Sequence, residues 1–257
     1  MKKIILLLLF ALLFAGLIAL VFGFYNAAKI RAFAKNSKAI QVRYDFDGKL
    51  QELEGFFQQA GSQDTETLQE NANNFQNNIN ALVNLTRDAQ SAVSGLNAPR
   101  STKGIKDDLT DFYKKANEQA LSLKAVIDFI KSITEVSSVF SKMNDNSTLE
   151  DIKNMIDEAK AKGASISPNE MPSGLRDDAQ KLVEAYNNYL TAIQEVAVQK
   201  NTDPQRLEDV YAEFSRSDNQ FFSSARRYFS EMENLNILKN KIDGELEGIS
   251  RIFFTIK

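Results

Sequence analysis

The chain has 257 residues, 31 basic and 34 acidic, for a net charge of −3, and it contains no histidine, cysteine or tryptophan. Without His and Cys there is no zinc site of the usual N/S kind, no thiol redox chemistry, no Ser-His or Cys-His nucleophile and no disulfide framework. All 34 acids lie from Asp45 onward with 24 of the bases, and the other seven bases lie between Lys2 and Arg43; the first 44 residues therefore carry about +7 and the remainder about −10, a balance that argues against nucleic acid as a partner.

Residues 4–24 read IILLLLFALLFAGLIALVFGF, without a charge. As a helix these residues cover roughly 31 Å, the thickness of a bilayer core, and a helix satisfies its backbone internally as lipid demands. A cleaved signal is the competing reading. Its apolar region would run about 7–15 residues, and the nearest Ala-x-Ala site, Ala32-Phe33-Ala34, lies beyond Lys29 and Arg31. The run is therefore expected to remain as a single-pass anchor in the lipid bilayer. Lys29, Arg31, Lys35 and Lys38 follow it and are expected to touch the membrane surface, their stems snorkelling towards headgroups. A bare positive-inside count favours a cytoplasmic body. The short Lys2-Lys3 start and a body rich in Asn, Gln, Ser and Thr favour an extracytoplasmic one, which is the expectation adopted.

After the collar, Ile40, Val42, Tyr44 and Phe46 alternate with polar residues ahead of Asp47-Gly48. That is strand spacing, and the alternating Ile252, Phe254 and Ile256 offer a partner; continued helix is the alternative. Leu50, Leu53, Phe56 and Phe57 make a short amphipathic helix over 49–60, ended by Gly61 to Asp64, with Asp64 as the next N-cap. A long helix follows from about Leu68 to Leu96, apolar at Phe75, Ile79, Leu82, Ala89 and Val93, with an Asn- and Gln-rich face at 71–78. Pro99 stops it. The next runs from near Ser101, through Ile105, Leu109, Phe112 and Leu123, to Phe140, and ends before Asn144. Ser147 to Glu150 reads as a capping box for a shorter helix closed by Gly163. Residues 164–172, with two prolines, are loop. A further helix spans about Gly174 to Lys200. The last is capped near Asp203-Pro204 and runs with no proline to Ile252.

GIKDDL at 104–109 resembles GLRDDA at 174–179, and apolar positions keep matching at that offset, which reads either as duplicated helical hairpins or as two helices sharing a start signal. Adjacent acids on a helix point about 100° apart, so Asp107-Asp108 and Asp177-Asp178 suit the helix N-terminus better than a metal. Residues 144–151 lack the glycine and distal glutamate of a calcium loop. Phe221, Phe222, Tyr228 and Phe229 form the densest aromatic cluster. Aromatics at helical spacing are mostly core, but adjacent Phe221 and Phe222 do not share one seam, so this cluster is the candidate partner contact.

The order of anchor, Phe24-Tyr25-Asn26, helices and a late Ala225-Arg226-Arg227-Tyr228 slightly resembles the LemA family of membrane-anchored helical proteins, over under a tenth of the chain. The overall plan is also similar to that of spectrin-like septation regulators. Neither resemblance transfers a residue role. The expected fold is all-α: a tail at 1–3, a transmembrane anchor at 4–24, a basic juxtamembrane linker at 25–48, and an elongated antiparallel bundle of long helices at 49–257. The expected function is a non-catalytic scaffold or interaction module of the cell envelope or surface. It needs no cofactor or metal and works through a protein partner or self-association of its helical faces. The alternatives are a sensor-type ligand-binding bundle outside the cytoplasm and a spectrin-like scaffold facing the cytoplasm.

Overall fold

The apolar run and the basic collar are one helix. In the computed structural model, which describes residues 2–46, 48, 65–140, 147–199, 204–230, 234–253 and 255, α1 spans Lys2–Arg43 without a break. It is long and apolar enough to cross a membrane. Of the two readings left open for residues 39–47, helix holds over 39–43, the last turn of α1, and no strand occurs among the described residues. Extending an existing helix adds one hydrogen bond per residue fixed, whereas a lone strand has nothing to pair with. The alternation was a coincidence of faces, since Val42 is left exposed and Phe46 is buried.

Six further helices are described: α2 Thr65–Ser94, α3 Lys103–Ser137, α4 Leu149–Gly163, α5 Ser173–Gln199, α6 Pro204–Ser230 and α7 Asn234–Ser250, with short 3-10 turns at Arg100–Thr102 and Pro168–Glu170. The all-α fold is as the periodicity predicts. Three boundaries differ. α3 ends at Ser137, although Val139 and Phe140 still pack on the core beyond it. The capping box of α4 sits one residue later than expected: the Asp151 amide donates to Thr148 Oγ1 at 3.2 Å, and the Thr148 amide donates to Asp151 Oδ2 at 2.8 Å. The Asp151 carboxyl also accepts from Thr148 Oγ1 at 2.7 Å, and this bond, followed by that from the Thr148 amide, holds it below its ordinary range. The long last helix is two, α6 and α7; neither glycine nor proline marks the break, which falls where the chain passes from one compact unit to another. The expected helix at 49–60 and the Asp64 cap lie outside the described residues, as do Asn144–Asn146 and Thr202-Asp203.

By its internal packing the chain divides into two compact units. The first comprises Met1–Asp45, Leu85–Asn117 and Glu233–Lys257; the second comprises Phe46–Asn84 and Glu118–Met232. In the first, α7 packs along the outer half of α1. The α1 face is narrow, with Ala27, Ile30, Ala34 and Ser37 buried at alternating steps of three and four, and it meets Leu235, Ile242 and Leu246 of α7, all buried. The two helices run antiparallel, because Gln41 Nε2 donates to Asp243 Oδ1 at 2.7 Å while the Thr255 amide donates to the Gly23 carbonyl at 3.3 Å.

In the second unit α5 packs most extensively on α6 and next on α4. Val136, Val139, Ala159, Tyr186 and Leu190 form a core cluster there, with Phe214 packed against it. Gly163 lets α4 come close to α5: a Cβ at that position would stand 3.1 Å from Asn187 Oδ1.

The resemblance at offset 70 extends to structure. α3 starts at residue 103 and α5 at residue 173. In each helix the first aspartate is exposed and the second is half-buried. Asp108 accepts from Lys241 Nζ at 2.7 Å in the first unit. Asp178 accepts from Gln220 Nε2 at 2.8 Å and from Ser224 Oγ at 2.6 Å in the second. The second acid of each pair is thus a cross-helix contact as well as a favourable charge near a helix N-terminus.

Candidate functional site

The aromatic residues of α6 meet those of α3 and α5 inside the second unit. Phe221 packs on Phe129 with ring centroids 5.0 Å apart, and Phe222 stands edge-on to Phe221 at 5.6 Å. One turn and more towards the N-terminus of α6, Phe214 stacks parallel on Tyr189 at 5.7 Å and tilts on Tyr186 at 5.3 Å, while Tyr211 leans on Tyr189 at 5.6 Å. Phe221 and Phe222 are both buried. Within this chain both therefore pack as core, as aromatics at helical spacing mostly do. A helix flanked on two sides buries neighbouring positions 100° apart, so two adjacent phenylalanines need not share one seam. Tyr228 is half-buried and lies against Gly174; the side chain of Phe229 is outside the described residues.

These rings wall a half-open groove of about 430 Å³. Ile130, Ile133, Thr134 and Ser137 of α3 form one side, Leu182 of α5 lies at its base, and α6 supplies the aromatics with Ser215, Asp218 and Asn219. Asp218 is its one carboxylate. No hydrogen bond or ion pair to it occurs among the described residues, and burial alone pushes its carboxyl up to about 6. It is still ionised at neutral pH, so the groove holds an uncompensated negative charge against apolar walls. Burial likewise raises the phenols of Tyr186 and Tyr189; the Ser137 hydroxyl opposes this at Tyr186, and Tyr211 adds to it at Tyr189.

Three polar side chains of the groove already donate within their own helices. Thr134 Oγ1 donates to the Ile130 carbonyl at 2.6 Å and Ser137 Oγ to the Ile133 carbonyl at 3.1 Å. Asn219 Nδ2 donates to the Ser215 carbonyl at 2.8 Å. What remains for a guest is the lone pairs of these two hydroxyls and of the Asn219 amide, the second Asn219 N–H, the Tyr211 and Ser215 hydroxyls, which donate or accept, and the Asp218 carboxylate. No lysine or arginine is among the lining residues. Aromatic faces carry the same sign of potential. Chemically the groove accepts a hydrogen-bond donor with positive charge and an apolar body.

The sequence reading passed over Asp218. The signal was there: the apolar stripe of α6 jumps from Phe214 to Phe221, and position 218 fills the missing turn, so the acid occupies a core-facing site.

The expected membrane-surface residues lie off the α7-facing side of α1. Lys29, Lys35 and Lys38 are exposed and Arg31 is half-buried. Lys29 Nζ stands 4.3 Å over the Tyr25 ring, and the Arg31 guanidinium lies 5.6 Å from the Phe253 ring. A second, shallow depression in the first unit surrounds the Lys241–Asp108 pair with Asp107 and Glu245. The Asp108 bond, above all, raises the Lys241 ammonium, so here one acid has a cationic partner, as Asp218 in the groove, among the described residues, does not. Compared with known proteins, the chain matches no family model, no curated protein and no solved structure, and the slight LemA-like pattern gains nothing from that side.

Proposed function

We propose that this chain is a single-pass, membrane-anchored, non-catalytic binding protein with its body outside the cytoplasm, and that the groove of the second unit is its binding element. The groove supports the ligand-binding form of this reading over a scaffold that recruits a protein through exposed aromatics, because those aromatics are turned inward. Its guest is an organic ammonium with an aromatic or aliphatic body. The observation that carries this is the Asp218 carboxylate, without a partner among the described residues, set against aromatic faces. Membrane attachment is supported by the charge-free run at residues 4–24 and the basic collar that continues from it in one helix.

Calorimetric titration of the full chain in detergent with an arylalkylammonium ion and with the arylalkanoate of equal size tests the proposal. The cation binds and the anion does not, and Asp218→Asn weakens the cation about 10–100-fold, the worth of a hydrogen bond to a charged group. Equal affinity for both ions, or an unchanged affinity in Asp218→Asn, contradicts it. A partner protein held through helical faces with the groove vacant supports the scaffold reading instead.

A further inference from the structure

α1 and α7 are antiparallel, so the residues after α7 return towards the lipid end of α1. The Thr255 amide donates to the carbonyl of Gly23, the penultimate residue of the apolar run. Thr255 is therefore level with the edge of the hydrocarbon if the run fills it. Phe253 is two residues earlier, at most roughly 7 Å away. Arg31, against whose guanidinium its ring lies, is eight helical residues past Gly23, roughly 12 Å. Each headgroup layer is about 5–8 Å thick, so Phe253 falls within it. Its ring is 75% exposed, and on α1 Phe22, Phe24 and Tyr25 are exposed at the same level. Tyrosine and phenylalanine beside a basic collar are the composition of an interfacial belt.

We infer that residues 251–255 are a second membrane contact, lying in the headgroup layer where α1 emerges, with the Phe253 ring among the lipids. This rests on the reading of α1 as a membrane anchor. The occupant is a lipid surface rather than another protein, because the exposed ring continues the lipid-facing aromatics of α1 and is flanked by Arg31 and Arg251. The contact closes the base of the first unit on the bilayer and fixes α7 there through two helices' worth of attachment instead of one.

The chain has no tryptophan, so single substitutions report their own depth. Phe253→Trp, Phe22→Trp and Ile237→Trp are each made in the full chain, reconstituted in phosphatidylcholine–phosphatidylglycerol vesicles, and quenched with lipids brominated along the acyl chain. Phe22→Trp reports the anchor. Ile237→Trp, exposed on α7 at the end remote from Gly23, reports water. The inference requires Phe253→Trp to emit to the blue of Ile237→Trp and to be quenched within about twofold of Phe22→Trp. Emission and quenching of Phe253→Trp matching Ile237→Trp, with Phe22→Trp quenched, overturns it and leaves the anchor standing. Absence of quenching at Phe22→Trp overturns the anchor and the inference together.

Discussion

Asp218 concentrates the chemistry of this chain in one side chain. It sits on the core-facing side of α6, a turn beyond Phe214 and a turn before Phe221, and burial raises its carboxyl from 3.8 to about 6. An acid raised in the folded state binds more protons folded than unfolded across that window, so stability falls as pH rises through it. The cost is absent below about pH 4, builds between 4 and 6, and is complete above 6; about 2 pKa units correspond to at most about 3 kcal/mol. Asp218→Asn is therefore expected to be more stable than the parent at pH 7.5 and equal to it near pH 4, measured by denaturant unfolding of the full chain in detergent. A variant less stable than the parent at pH 7.5 would mean that the carboxylate has a partner after all. A lone acid retained where an apolar residue would stabilise is the pattern of a site kept for binding.

At the scale of elements, the helical stripes were legible because each buries a face at a spacing of three and four. Ile105, Leu109, Leu123 and Ile127 on α3 are buried as that spacing requires, as are Leu175, Ala179, Leu182 and Leu190 on α5. What the stripe does not encode is which neighbour it meets. The apolar positions from Leu207 to Ile249 read as one helix, yet Phe221 packs in the second unit and Ile242 in the first. The alternation at Ile40 to Phe46 left two readings open for the related reason that a short window fits two periods, and only the cost of ending α1 decides between them. Adjacent Phe221 and Phe222 fit no single seam, and α6 has two. The α1–α7 seam is the contact least visible in sequence, since Ala27, Ala34 and Ser37 look like ordinary helix surface. It is also the easiest to test. Ala34→Leu places three extra carbons where Ala34 is 1% exposed and is expected to cost about 1–3 kcal/mol by overpacking. Amide exchange of α7 in detergent should then quicken about tenfold or more. Unchanged protection of Leu235 to Leu246 would contradict the seam.

For the whole molecule the governing fact is the separation of charge and grease along the chain. The first 44 residues carry the apolar run and the basic collar, and the acids begin only at Asp45. The α1–α7 pairing attaches the first unit directly to the helix that carries the apolar run. A cleaved chain would lose the Gly23 carbonyl to which Thr255 donates. The most direct test is the N-terminus of the mature protein, read by mass spectrometry on material kept in the membrane pellet after an alkaline wash. The account predicts a chain that retains residues 4–24 and stays in the pellet. A mature chain that begins beyond Phe24, or one released intact into the wash, would contradict it.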